Sequence, residues 1–303
     1  MTVPTLDLAP SGPQVSRLAL GLWRVASWGL SDAEVLDLVH GSIDLGITTF
    51  DHADIYGDYA AEELFGRALA LEPSLRHRLQ LVTKCGIKVV SDRRPAHRLK
   101  HYDTSREHII ASAENSLRLL NTDHLDLLLI HRPDPLLDAD EVAEAFQALR
   151  VAGKVLHFGV SNFTPWQFDL LASRLPMPLV TNQVELSLLN MKVLGDGTVD
   201  QCQRLGISPM AWSALAGGRL FRDEDAQSLR VRRALDEVGR ELGGAQAGQV
   251  ALAWVLRHPA RIVPLLGSGK LERIRSAAAA AGLHLSREQW FALWTASAGQ
   301  EVP

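Results

Sequence analysis

Residues 49–58, TFDHADIYGD, gather Asp51, His52, Asp54, Tyr56 and Asp58 directly behind an apolar lead-in. Acids and a histidine at this spacing suggest metal ligation first. The phenol of Tyr56 fits that chemistry badly, and tyrosine is scarce: Tyr56, Tyr59 and Tyr102 are the whole complement. Further chemistry-bearing side chains stand where apolar runs stop. Lys84 closes LQLVT, His131 closes LDLLLI, Ser161 and Asn162 follow VLHFGV, Gln183 lies inside LVTNQVE, Trp212 closes SPMA and Ser268 follows RIVPLLG. Most of these are polar, whereas run ends taken at random would hold more glycine, alanine and hydrophobes.

The apolar runs read as strands at 17–23, 48–51, 79–84, 125–131, 155–161, 179–185, 208–212 and 261–268. Amphipathic stretches follow at 31–46, 60–71, 105–120, 138–153, 165–175, 198–206, a tandem pair at 228–243 and 247–259, and 270–282, with a closing helix at 286–299. The first helix shows its signals plainly: Ser31 with Glu34 three residues on, and Gly46 to end it. The strands are too continuous in Leu, Ile and Val to have a wet face, so they are expected to be parallel and covered. Eight βα units in 303 residues predict a single (β/α)8 TIM barrel. An N-terminal β-hairpin, turning at 10–12, and a C-terminal extra helix complete it. No linker divides residues 1–303, which are expected to form one domain. In such a barrel function gathers at the C-terminal strand ends, where the polar residues stand, and Tyr56 falls on the adjoining loop.

Composition narrows the classes. Hydrophobic residues make up 47% of the chain and charged ones 22%, an ordinary globular mixture. A net charge of −4 gives no basic surface for nucleic acid. Cys85 and Cys202 form no disulfide framework, which favours a reduced, cytoplasmic setting. The start, MTVPTLDLAPSGPQ, lacks the basic and apolar regions of a signal peptide. No apolar run approaches the roughly 20 residues that span a bilayer.

Five ordered motifs resemble the aldo-keto reductase superfamily: FDHADIYG around Asp51 and Tyr56, VTKCG around Lys84, DLLLIHRPD around His131, GKVLHFGVSNF before Asn162, and TNQVELS around Gln183. The resemblance runs to GSGKLERI near the C-terminus, and HRPDP, PMAWSALAGGRLF and the ending EVP are similar to its bacterial YdhF-like branch. It implies reduction of a small-molecule carbonyl substrate by NAD(P)H. Hydride delivery leaves an alkoxide, so a proton must arrive as charge develops. A free phenol, with a pKa near 10, is a poor acid at neutral pH. Lys84 is expected to lower that pKa, with Asp51 holding Lys84 charged and a neutral His131 orienting the carbonyl. Tyr56 is then the general acid, and Asp51 serves Lys84 rather than a metal.

The resemblance also implies that Asn162, Gln183 and Ser161 hold the nicotinamide carboxamide and that Trp212 stacks on the ring. No GxGxxG follows an N-terminal strand, so no Rossmann domain is expected. Gly267, Ser268, Lys270 and Arg273 form a turn before a helix, with backbone N–H groups suited to an anion. Arg273 matches the family arginine at the adenosine end, and two cations with a hydroxyl suit a 2′-phosphate, so NADPH is the expected cofactor. Ser276 and Ala277 replace the acid and asparagine that the family often has for adenine.

The remaining residues divide. His52, Asp54 and Asp58 read as a polar turn, and the basic loop 93–101 as solvated surface. Trp23 is core or pocket wall. Trp290 and Trp294 fall at i and i+4, as docking positions of the closing helix. A metal-dependent hydrolase would want histidines near the first strand, which ends instead in GLW. A Schiff-base aldolase could use Lys84 but leaves Trp212, Asn162 and Gln183 idle. A redox-sensing regulatory barrel that keeps the cofactor with negligible turnover stands as the alternative function. Substrate identity and oligomeric state are open at this level.

Overall fold

A computed structural model describes residues 2–302. The chain begins with an antiparallel hairpin, β1 (Thr5–Asp7) and β2 (Gln14–Ser16), whose turn closes with the Gly12 N–H donating to the Ala9 carbonyl at 3.0 Å. The barrel follows as β3 (Ala19–Gly21), β4 (Thr49–Asp51) and β5 (Gln80–Cys85). After a small antiparallel pair, β6 (Ile87–Lys88) and β7 (His101–Tyr102), it continues as β8 (Leu125–Ile130), β9 (Val155–Ser161), β10 (Leu179–Glu185), β11 (Met210–Trp212) and β12 (Val263–Leu266). The eight barrel strands close in the order β10-β11-β12-β3-β4-β5-β8-β9, every neighbouring pair parallel. This is the expected (β/α)8 barrel.

Helices Asp32–Asp44, Ala61–Ala70, Arg106–Leu119, Ala139–Val151, Pro165–Ala172, Thr198–Leu205, Ala226–Glu241, Ala247–Leu256 and Leu271–Ala278 cover its outside. Ser31 and Glu34 form the capping box read from the sequence. The closing helix Arg287–Ala298 opens on another such box at Ser286 and stops at Gly299, whose φ is 77°. It docks through Trp290, which stacks on buried Trp254 at 5.0 Å and 10°, each indole N–H donating to the other residue's carbonyl.

Three features depart from the sequence reading. The first strand is shorter than 17–23: the Arg17 guanidinium turns to the Leu256 and Ile262 carbonyls, and the chain bends after Gly21. The loop carrying Tyr56 ends in a tight turn of left-handed residues, Gly57 to Tyr59, which the sequence did not announce. Strands β6 and β7 were not expected, because two-residue strands carry no period to read. Alternation along β5 does the main positioning work. Thr83 faces outward and donates to the buried Glu62 carboxyl of helix Ala61–Ala70 at 2.5 Å, while Lys84 faces the barrel axis.

Candidate active site

Asp51, at the end of β4, and Lys84, in β5, are each 1% exposed. The Lys84 Nζ donates to both Asp51 oxygens, at 2.9 and 2.8 Å, to the His52 carbonyl at 2.7 Å and to the Tyr56 hydroxyl at 3.1 Å. Burial pushes the Asp51 carboxyl up, while Lys84 and the Gln183 amide pull it down. Burial presses on Lys84 in turn, but Asp51 and Tyr56 outweigh it and its pKa stands above the ordinary value. A carboxylate that takes two contacts from an ammonium and one from an amide is held in its ionised form. The pair is therefore a salt bridge, and both Asp51 oxygens are committed to it.

The backbone brings Tyr56 to Lys84 by a tight route. Beyond β4 the chain still runs along β5, with the His52 and Asp54 N–H groups donating to the Val82 and Lys84 carbonyls at 2.8 and 3.0 Å. Three successive left-handed residues, Gly57, Asp58 and Tyr59, with φ of 57, 56 and 63°, then reverse it. Gly57 is required twice over, since a Cβ there would meet Ala26 Cβ at 2.7 Å. Tyr56 is left with its hydroxyl against Lys84 and its ring edge-on to His131, at 5.8 Å and 79°.

One expectation is corrected here. Burial raises the Tyr56 phenol above its ordinary pKa; Lys84 and Arg132 pull it down without prevailing. The phenol keeps its proton at rest, and Lys84 acts by lowering the cost of losing it. His131 follows β8, its N–H donating to the Cys85 carbonyl at 2.8 Å. Burial, and then Lys84, Arg132 and Lys100, hold its imidazole well below the usual range, so it is neutral. Its Nδ1 is buried without a partner among the described residues.

The other strand-end residues join this group through one run of hydrogen bonds. Trp212 Nε1 donates to Asn162 Oδ1 at 3.0 Å, and Asn162 Nδ2 donates to Ser161 Oγ at 2.8 Å. Ser161 Oγ donates to the Gln183 carbonyl at 2.8 Å, and Gln183 Nε2 donates to Asp51 Oδ1 at 2.7 Å. Asn162 takes a left-handed φ of 63°, which asparagine tolerates well. Ser161 and Gln183 are 1% exposed and bonded inward.

At the end of β12, Gly267 has open space where a Cβ would stand. The Lys270 N–H, read from the sequence as free for an anion, donates to Ser268 Oγ at 3.2 Å. Lys270 and Arg273 are exposed, and the ion pairs among the described residues include neither. Gly269 packs beneath Trp28, whose ring a Cβ would strike at 2.5 Å. A dinucleotide suits these residues: an indole held in orientation by Asn162 at one end, and two cations without counter-ions at the other.

Other placements differ from the reading. Trp23 is 57% exposed, so it is not core, and the Arg24 guanidinium lies 4.8 Å over its ring. His52 and Asp54 are buried rather than in a solvated turn, and only Asp58 is exposed. The His52 ring lies edge-on to Phe65 at 4.6 Å, and the Asp54 carboxyl accepts from the Ser112 hydroxyl at 2.8 Å. The basic loop 93–101 is not merely solvated: Arg94 covers the Tyr59 ring at 4.7 Å over a cavity of about 250 Å³. The sequence reading missed Arg132 and Lys100, whose charges both reach His131. The only signal for Arg132 was its place directly after that histidine. Among the described residues no cluster of His, Cys, Asp or Glu could hold a metal ion, and no helix is long and apolar enough to cross a membrane.

The chain is similar to known proteins along nearly its whole length. The aldo/keto reductase family matches residues 17–297. Oxidoreductase YdhF of Escherichia coli (strain K12) is 53% identical over 99% of this chain and 100% of its own. The 6-dehydroglucose reductase of Agrobacterium fabrum is 48% identical over 95% of this chain and 96% of its own. The crystal structure of a thermostable aldo-keto reductase, Tm1743, in complex with the inhibitor epalrestat, superposes with a TM-score of 0.82 at 28% identity, covering 97% of this chain and 99% of that one. Eight parallel strands closed into a barrel, polar groups gathered at its C-terminal mouth and relatives matched along nearly their full length lead to one conclusion: the chain belongs to the aldo/keto reductase family and is an oxidoreductase that works with a nicotinamide cofactor.

Proposed function

We propose that the chain, acting as one domain, reduces an aldehyde or ketone to its alcohol with NADPH, and that Tyr56 is the general acid. The observation that carries this is the Lys84 Nζ, which touches the Asp51 carboxylate and the Tyr56 hydroxyl together. A bound reduced nicotinamide supplies the hydride. Negative charge then develops on the carbonyl oxygen, and the groups of this chain must meet it. Tyr56 holds the proton to be donated. Lys84, kept cationic by Asp51, stabilises the phenolate as that proton leaves, which offsets the burial that raised the phenol's pKa. His131, neutral, offers an N–H to the carbonyl oxygen and fixes its approach.

Asn162 and Trp212 are the side chains suited to touch the nicotinamide. Ser161 and Gln183 act one step back: their bonds go to Asn162 and Asp51, so they support the carboxamide site and the catalytic pair rather than the ring itself. Gly267, Ser268, Lys270 and Arg273 serve the far end, where a 2′-phosphate favours NADPH. Trp23, exposed beside the mouth, is the wall of the substrate pocket. A 48% identical relative named 6-dehydroglucose reductase makes a sugar aldehyde one substrate to try.

The test is multiple-turnover NADPH oxidation with a panel of aldehydes, including a sugar aldehyde. Turnover far above one equivalent per chain supports the reductase. Tight cofactor binding with a single equivalent consumed would favour the redox-sensing barrel instead.

A further inference from the structure

The mouth carries more positive charge than its reacting groups need. Lys84 is matched by Asp51. Arg132, directly after His131, is half-buried, with its guanidinium 5.4 Å from the centre of the Trp212 ring. Lys100 is exposed in the loop between β6 and β7, and its charge is the smallest of those that hold the His131 imidazole neutral. Among the described residues neither takes part in an ion pair, and Arg132 makes no hydrogen bond within the chain. Nearby acids are engaged elsewhere. Asp103 pairs with Lys88, and Asp134 accepts from the Thr104 hydroxyl and the Leu136 N–H.

A half-buried guanidinium without a counter-ion is costly to keep, and contact with an indole face recovers only part of that cost. A planar fork of donors left free in this way matches a carboxylate or a phosphate. The cofactor's phosphates are the first rival occupant. The turn proposed for the 2′-phosphate follows β12, which stands four strands from β8 in either direction around the eight-stranded barrel. The Arg132 guanidinium itself lies beside Trp212 at the end of β11, the place proposed for the nicotinamide ring, which carries no negative charge to pair with it. Its charge registers on Tyr56 and His131, the two groups that meet the carbonyl.

We infer that Arg132 anchors the substrate, and that the substrate is a carbonyl compound carrying an anionic group, a carboxylate or a phosphate. The inference rests on carbonyl reduction at Tyr56. The anionic group takes no part in bond making; it fixes which carbonyl compounds are held with the oxygen at Tyr56 and His131.

The experiment compares kcat/KM within two matched pairs: 4-formylbenzoate with 4-formylbenzamide, and glyceraldehyde 3-phosphate with glyceraldehyde. Each protein is compared with itself, so the folded fraction and the intrinsic reactivity of each carbonyl cancel when ratios are compared between proteins. The charged member is favoured in the wild type. That preference falls at least tenfold in Arg132→Gln, chiefly through KM, and is largely kept in Arg132→Lys. The pair with the larger drop tells a carboxylate from a phosphate. Added salt weakens the same preference in the wild type, which reads the charge without any substitution. If all four aldehydes are reduced and neither ratio moves in Arg132→Gln or with salt, the anchor is wrong and the mouth takes uncharged groups such as sugar hydroxyls. If none is reduced while NADPH binds, the reductase reading fails, and this inference with it.

Discussion

The Gln183 side-chain amide donates to Asp51 Oδ1 at 2.7 Å, across 132 positions of sequence. Family resemblance points Gln183 at the nicotinamide; its amide is also bonded to the carboxylate that holds Lys84. The two roles separate in a Gln183→Leu variant. Asp51 then keeps the ammonium but loses its amide donor. Stability should fall by about 1–3 kcal/mol, as for a buried charged acceptor stripped of a partner. The rate of the chemical step should fall while NADPH affinity changes little. If NADPH affinity is lost instead, with kcat intact, Gln183 is a cofactor contact after all.

Tyr56→Phe removes the proposed proton and leaves the ring that packs edge-on to His131. General acid catalysis is typically worth about 10²–10⁴ in rate, and the variant's kcat should fall within that range. NADPH should still bind, since the dinucleotide groups proposed here lie elsewhere. Single-turnover kinetics and a fluorescence titration measure the two quantities. Near-normal turnover would pass the acid role to another group, with His131 first in line.

The buried carboxyls behind the site set a pH dependence of stability. Burial and neighbouring Glu62 push Asp54 up to about 8, and burial pushes Glu62 itself up to about 7. In the unfolded chain both carboxyls release their protons near pH 4. Between these limits the folded state holds protons that the unfolded state has lost, so stability is greatest at the acid end and declines as pH rises through the folded values. Buried neutral histidines act oppositely below pH 6.5, so the informative window is pH 6.5 to 8. There Asp54 alone should remove about 2 kcal/mol, from 1.36 kcal/mol per pH unit. Urea unfolding of Asp54→Asn, which keeps an acceptor for the Ser112 hydroxyl, should show most of that decline gone. An equal decline in wild type and variant would mean that Asp54 is ionised in the fold.

These cases mark what a sequence can and cannot carry. Asp51, Lys84, His131, Asn162 and Trp212 were readable because each ends an apolar run, and a closed parallel barrel gathers run ends in one place. The bond from Gln183 to Asp51 was not, because it exists only once the barrel has closed and facing side chains meet across its axis. His52 and Asp54 misled in the usual direction, since polar residues seldom go fully inside unpaired. The net pKa of Tyr56 was misjudged for a related reason: the cation beside it is visible in the sequence, while the burial that opposes it is not. Arg132 escaped notice because a charged residue at a loop start is ordinary until its lack of a partner is seen.

Cofactor choice turns on the other end of the dinucleotide. Lys270 caps helix Leu271–Ala278 with extended backbone, and Arg273 sits in its first turn, its N–H donating to the Lys270 carbonyl at 3.0 Å. Both side chains are exposed, and Glu272, exposed beside them, joins neither in an ion pair among the described residues. The Ser276 hydroxyl donates to Gln246 Oε1 at 2.7 Å, and neither Ser276 nor Ala277 offers a carboxylate or an amide to an adenine amine. On the proposed site adenine recognition would be thin, and the 2′-phosphate, with nearly two negative charges, would carry the choice between cofactors. The wild type should bind NADPH more tightly than NADH. Arg273→Ala should weaken NADPH by about tenfold to a hundredfold in Kd, the range of a charged hydrogen bond, and leave NADH nearly unchanged. Lys270→Ala should act the same way but less, because an ammonium offers one point of charge where the guanidinium offers a fork. Fluorescence titration of both cofactors against both variants gives the four constants needed. Equal binding of NADPH and NADH by the wild type, or parallel loss of both in Arg273→Ala, would remove the phosphate site from this turn.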